Sequence, residues 1–222
     1  MKNYRLPTRE DCFKLLKEYR VPSHIVRHSL TAAKLAVFLG QRLREKGTAI
    51  NVELVERACL LHDIARVCDF KEPDWSKFEQ IVTEEDKAKW NQIRTKYKGV
   101  SHEEAAYDIL KDRYPILAKT IKRHWYMGML DEQTRPQTWE EKLVFYADMR
   151  VLDDKIVPLE DRLREGHKRN VHLHGSEEQS EIDTAKVDPL VYKLEREIFA
   201  MVGLEPEKIM EEFLVAAKQR RN

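Results

Sequence analysis

The sequence predicts an all-α fold, a helical bundle with no substantial β-sheet. Three observations carry that prediction. Ala, Leu, Lys, Glu and Arg dominate a chain of 222 residues that holds only 7 Gly and 8 Pro, a composition that favours helix over turn-rich β structure. Ser or Thr followed three residues later by an acid recurs at Thr8/Asp11, Thr83/Asp86, Ser101/Glu104 and Thr138/Glu141, the spacing of a capping box that opens a helix. No stretch alternates apolar and polar residues between hairpin turns, as a half-buried strand would.

The elements follow in order. Thr8 with Asp11 opens a helix to about Arg20, and Val21-Pro22-Ser23 breaks and restarts the chain. A long helix runs from about His24 to Lys46, where Gly47 stops it. Asn51 caps a third helix through about Arg66. Polar helices follow from Thr83 to about Tyr97 and from Ser101 to about Arg113. After Tyr114-Pro115 a helix resumes from Ile116 to His124, and Thr138 opens another to about Asp153. Pro158 begins a short helix that Gly166 is expected to end, and Lys168 to Asp183 reads as a polar, irregular loop. Two last helices are expected from about Thr184 to Met201 and from Pro206 to Gln219. The expected division is a core over 1–165 with a helical extension, 166–222, packed on it as one domain. No heptad pattern persists, so this is not a coiled coil.

Charge narrows the functional classes. Lys+Arg 40 against Asp+Glu 39 leaves a net charge of +1, which excludes a strong global field pulling the chain onto nucleic acid or anionic lipid. No apolar run approaches the ~18 residues of a membrane span. Met1 to Glu10 carries no apolar signal core. Cys12, Cys59 and Cys68 form no CxxC pair and cannot all pair internally, which suits reduced thiols. A cytoplasmic location is the expectation.

The informative residues are ionisable groups on apolar helix stripes. His28 falls on the stripe of Ile25, Ala32, Leu35 and Leu39; His62 on that of Val55, Ala58, Cys59 and Ala65, with Asp63 next; Asp148 on that of Val144, Ala147 and Val151. A lone core histidine is usually just hydrogen-bonded, and a lone aspartate there can pair with an arginine such as Arg66 or Arg150. Three such helices together instead suggest neutral imidazoles and carboxylates converging on a divalent metal, because an unpaired buried carboxylate costs several kcal/mol. His102 opens a helix and His124 ends one, natural places to present further ligands. His172-Leu173-His174 lies in a polar loop and reads as surface histidines. Lys122 and Arg123 read as salt-bridged side chains rather than phosphate binders.

The order His28, Leu60-Leu61-His62-Asp63-Ile64-Ala65-Arg66, His102, His124 and Leu143-Val144-Phe145-Tyr146-Ala147-Asp148 resembles the HD-domain metal-dependent phosphohydrolase superfamily. The version it is similar to holds two metals, and the bacterial dinucleoside tetraphosphate hydrolase branch shares this layout. The Gly-Tyr-Pro tripeptide of the cyclic dinucleotide phosphodiesterases is absent. The resemblance implies that His28, His62 and Asp148 hold the first metal, that Asp63 bridges, and that His102 and His124 complete the second site. Four His and two carboxylates suit Fe, Mn, Co, Ni or Zn. It further implies hydrolysis of a phosphate ester or anhydride, of a nucleotide or dinucleoside polyphosphate, by a metal-activated hydroxide. Asp63 and Arg66 are the expected catalytic residues. Arg66 stands where relatives often have Lys, one α-helical turn beyond His62, and with Arg150 and Lys155 it is expected to bind substrate phosphate. Two other readings stay open: a di-iron oxygenase and a non-catalytic nucleotide-binding module. The polar stretch between Arg66 and His102, with Trp75 and Trp90, is expected to form a lid or substrate wall.

Overall fold

The computed structural model describes residues 5–70, 73–171 and 174–210. Its helices are α1 (Arg9–Glu18), α2 (Ser23–Glu45), α3 (Val52–Leu61), α4 (Glu84–Lys96), α5 (His102–Leu110), α6 (Pro115–Lys122), α7 (Trp139–Asp148), α8 (Leu159–Asn170) and α9 (Glu177–Val202). A two-residue antiparallel ribbon, β1 (Val151–Leu152) with β2 (Lys155–Ile156), follows α7. The fold is all-α, as its composition and caps predict. Complete capping boxes open α1, α4 and α7 at Thr8, Thr83 and Thr138; at Ser101 the hydroxyl accepts from the Glu104 N–H.

The 23-residue α2 is the central beam, about 34 Å long at 1.5 Å per residue. It packs against α3 and α7; α3 also packs against α6 and α7. Leu35, Leu39, Leu43, Val55, Ala58, Leu61, Val144 and Ala147 are fully enclosed between these helices. At roughly 25 cal/mol per Å² of apolar surface removed from water, such side chains supply most of the driving force. α9 closes the bundle against α2 and α7. It ends in the left-handed Gly203 (φ 74°), whose N–H caps the Phe199 carbonyl, a conformation that costs a side-chain-bearing residue more.

Four local expectations are corrected. The third helix ends at Leu61 rather than Arg66. The His62 imidazole takes up the Cys59 carbonyl, and beyond Leu61 the backbone bonds tighten to the i,i+3 kind, Ile64 to Leu61 and Arg66 to Asp63. A 3₁₀ turn over Arg66–Asp69 follows, so Arg66 is not on an α-helical face with His62. Second, Gly166 lies inside α8 instead of ending it. Mid-helix glycine costs about 0.5–1 kcal/mol against alanine, and a reason for it here is steric: a Cβ would meet Arg162 Nη1 at 2.9 Å. The 165/166 division therefore falls within a helix. Third, much of the expected loop over Lys168 to Asp183 is helical, because Ser176 caps α9 at Gln179. His174 is largely covered and bonded to Asp183 at 2.8 Å, not a free surface imidazole; His172 lies outside the described residues. Of the last helix expected over Pro206–Gln219, the described start is a 3₁₀ turn over Pro206–Lys208, and the part beyond 210 lies outside the described residues. Fourth, Trp90 is fully buried and donates to the Arg20 carbonyl at 2.7 Å, with the tilted Trp75 ring packed against it at 4.8 Å between centroids. Trp90 is a core anchor for α4 rather than a wall of a cleft.

Candidate metal centre

Six side chains from five places in the chain meet at one end of this core. His28 comes from the second turn of α2; His62 and Asp63 from the turn that ends α3. His102 opens α5, His124 lies just beyond α6, and Asp148 is the last residue of α7. All but His28 and Asp148 are buried as whole residues, and those two keep only 13 % of their side chains exposed.

Each imidazole is held by its outer nitrogen. Nδ1 of His28 lies 3.0 Å from the Asp153 carbonyl, Nδ1 of His62 2.7 Å from that of Cys59, and Nδ1 of His124 2.5 Å from that of Ile121. A carbonyl can only accept, so each Nδ1 carries the proton. The fourth partner is a carboxylate: Nδ1 of His102 donates to Asp69 Oδ2 at 2.6 Å. The tautomers are thereby set, and all four Nε2 atoms turn inward.

The inward atoms form two groups that share Asp63. His62 Nε2 lies 3.6 Å from Asp148 Oδ1 and 3.6 Å from Asp63 Oδ2, and His28 Nε2 lies 2.9 Å from Asp148 Oδ1. On the other side Asp63 Oδ1 lies 3.3 Å from His102 Nε2, which faces His124 Nε2 at 3.1 Å. The two oxygens of Asp63 thus face opposite groups. His28, His62 and Asp63, and likewise Asp63, His102 and His124, bring their ligand atoms within 4.8 Å of one another.

The donor set fits divalent metal on two counts. His62 Nε2 is buried with no hydrogen-bond partner, a state that costs roughly 1–3 kcal/mol if left so. His102 and His124 point two Nε2 lone pairs at each other, which is repulsive unless a proton or cation lies between them. Ligand bonds of ~2.0–2.1 Å place neighbouring donor atoms roughly 3.0–3.4 Å apart, close to the 2.9–3.6 Å separations of the inward atoms here.

Electrostatics agree. Burial alone would lower the pKa of His62, but the carboxylates of Asp63 and Asp148 override it and lift it to about 9. Burial opposes ionisation of Asp63 and Asp148 too, yet the surrounding imidazoles, with Arg66 beside Asp63 and Arg162 beside Asp148, hold both below the ordinary carboxylate range. Burial, then the like charges of His62 and His102, push His124 down to about 4.

The predicted cationic residues divide. Arg66 reaches the centre: its Nη1 pairs with Asp69 Oδ2 at 3.0 Å and lies 2.8 Å from His102 Nδ1. Arg150 does not. It is 1 % exposed, with Nε on the Val157 carbonyl at 2.7 Å, Nη2 on that of Pro206 at 3.2 Å and Nη1 on the Tyr146 hydroxyl. Two residues past Asp148 it faces α9 and clamps that helix to α7 through Glu195 and Tyr146, so no substrate reaches it. Lys155 is exposed on the ribbon. Lys122 and Arg123 pair with Glu104 and Glu141. Two residues at the centre lie outside the sequence-based expectation: Asp69 as the partner of His102, and Arg162, 3.9 Å from Asp148 Oδ1. An acid three residues after Arg66 is a visible signal for the first; nothing in the sequence points to the second.

The HD domain profile matches residues 25–150, more than half of the chain, and the chain belongs to the HD domain family. It is 24 % identical over 179 residues to the tRNA (cytidine(56)-2'-O)-methyltransferase of Picrophilus torridus, a match covering 75 % of this chain and 43 % of that protein. It is 26 % identical over 165 residues to an uncharacterized protein of Methanocaldococcus jannaschii, covering 69 % of this chain and 81 % of that one. This chain thus spans less than half of the first relative. No solved structure matches. Among the described residues no helix is long and apolar enough to cross a membrane.

Proposed function

We propose that the protein is a metal-dependent phosphohydrolase with a two-metal centre. His28, His62 and Asp148 would hold one metal, His102 and His124 the other, with Asp63 shared between them. One observation carries the reading: four histidines protonated outward on Nδ1 turn their Nε2 atoms inward, and the two oxygens of Asp63 face two different groups of them, His62 on one side and His102 on the other. Divalent metal bound there supplies Lewis acidity toward phosphoryl oxygens and lowers the pKa of water. The chain's own part is to keep the donors aimed and to balance charge. Asp69 holds the His102 proton, and Arg66, beside Asp69 and Asp63, offers a guanidinium to charge developing on a substrate phosphate.

The substrate class that best fits is a nucleotide or dinucleoside polyphosphate, as the family resemblance implies. The activity named for the Picrophilus relative stays with that protein. The reading is tested by metal analysis of protein purified without chelator or metal-affinity resin, together with turnover of p-nitrophenyl phosphate, mononucleotides and dinucleoside polyphosphates. Two metals per chain with hydrolysis of at least one of these is the expected result. No bound metal after loading, or no turnover by the loaded protein, would overturn it.

A further inference from the structure

Arg162 holds a guanidinium beside the candidate metal centre, with its Nη2 facing Asp148. The residue is 8 % exposed. Nε donates to the Val151 carbonyl at 2.8 Å, which fixes the plane of the head group. The two Nη groups stand 3.9 Å from Asp148 Oδ1 and 3.9 Å from Glu165 Oε2, beyond hydrogen-bond length. An arginine brings five donors, and among the described residues the one short contact here uses one. Gly166, one turn further along α8, leaves the space that Nη1 occupies, since a Cβ there would come within 2.9 Å of it. The helix gives up a better residue to admit this side chain.

Further positive charge gathers on the same side. Arg169, two turns beyond Arg162, pairs with Glu165 at 3.5 Å. Burial and then the repulsion of Arg162 and Arg66 lower its pKa, so both of those guanidiniums act on Arg169. A planar, poorly hydrated, permanently charged fork suits the oxygens of a phosphate group.

We propose that Arg162, held by the Val151 carbonyl and seated over Gly166, anchors a phosphate oxygen of the substrate beside the ligands His28 and Asp148. The proposal rests on the phosphohydrolase reading and names a residue for it that lies outside the 25–150 stretch of the family match. The competing role is structural, with Arg162 merely holding Asp148 in place for metal.

Inorganic phosphate is the probe. Its affinity for metal-loaded protein is measured by calorimetry in wild type, Arg162→Ala, Arg162→Lys and Gly166→Ala, with metal counted in each sample. Arg162→Ala should weaken phosphate about tenfold or more at unchanged metal content, the scale of a lost charge-assisted pair. Arg162→Lys should recover part of that. Gly166→Ala keeps every charge and strengthens helix propensity, so it stays folded even if Arg162→Ala does not; by displacing Nη1 it should weaken phosphate as well. Unchanged phosphate affinity in Arg162→Ala and Gly166→Ala overturns the proposal. So does loss of metal in Arg162→Ala with unaltered phosphate affinity per bound metal, which assigns the structural role. Arg162-dependent phosphate binding by a protein that hydrolyses no ester removes the hydrolase reading and leaves the anchor. Hydrolysis with Arg162-independent phosphate binding removes the anchor alone.

Discussion

His102 gives its Nδ1 proton to Asp69 Oδ2 at 2.6 Å, and Arg66 Nη1 shares the same oxygen at 3.0 Å. One carboxylate therefore fixes the tautomer of a metal-ligand candidate and tethers the nearest guanidinium. The other three imidazoles use backbone carbonyls for this task, which no substitution removes. Asp69 is the one such support that mutation can reach.

Asp69→Asn should lower affinity for the second metal by about 10–100-fold, the usual cost of losing such a partner to a ligating histidine. The first metal should stay, because His28, His62 and Asp148 do not touch Asp69. Metal content under a graded series of competing chelators reads both sites. Equal loss of both metals, or of neither, counts against the assignment.

Arg66→Ala separates two roles that share Asp69. As a phosphate-binding group, Arg66 should be worth ~10² in catalytic efficiency, the scale of one electrostatic donor. As a tether for Asp69 it should also loosen the second metal. Kinetics measured at saturating metal isolate the first role. A normal rate there, with only a lower Tm, would reduce Arg66 to a clamp on its 3₁₀ turn.

Chelation should destabilise the fold. Metal at about 1,000 times its Kd adds about 4 kcal/mol of stability. In a domain of this size 1 kcal/mol moves Tm by roughly 2–4 °C. Removing metal with a chelator should therefore lower Tm by roughly 8–16 °C. Asp63→Ala, which strips both groups of their shared ligand, should show little further change on chelation. Identical melting curves for wild type with and without metal would contradict a buried metal centre.

Most of the centre was legible because its residues break a pattern. His28, His62 and Asp148 interrupt apolar stripes that helical periodicity makes explicit, and His102 and His124 lie at helix ends that capping signals and Pro115 announce. What lay outside the pattern was misread. The third helix reads on to Arg66, because nothing in Ile64-Ala65-Arg66 signals that the His62 ring competes for the Cys59 carbonyl. Arg150 reads as a site residue for its nearness to Asp148 in sequence, yet the chain turns after Met149 and sends that side chain toward α9. Gly166 reads as a stop, because a glycine that makes room for another residue's head group looks locally like one that ends a helix. Arg162 went unseen for the same reason: its importance lies in what it reaches, and composition and spacing carry no record of that.

Metal binding should release protons, and the pH dependence has a definite sign. In the metal-free protein His62 is raised from 6.5 to about 9, because the Asp63 and Asp148 carboxylates outweigh the effect of burial. At neutral pH the ring is therefore protonated on Nε2 as well as Nδ1, and metal must displace the Nε2 proton. Apparent affinity should rise from pH 6 to about 9, roughly tenfold per unit for each proton displaced, and level off above. Calorimetry in buffers of differing ionisation enthalpy counts the protons directly. The same shift governs stability without metal. A raised pKa contributes stability that is full below 6.5 and is lost as pH rises through about 9. Asp63 and Asp148, both lowered, contribute stability that is present above 3.8 and is lost as pH falls below it. The Tm of chelated protein should accordingly decline between pH 6.5 and 9, while that of metal-loaded protein, whose His62 carries no exchangeable Nε2 proton, holds or rises. A chelated Tm flat across that interval, together with metal binding that releases no proton, would show that His62 is neutral before metal arrives and would undo the electrostatic account of the centre.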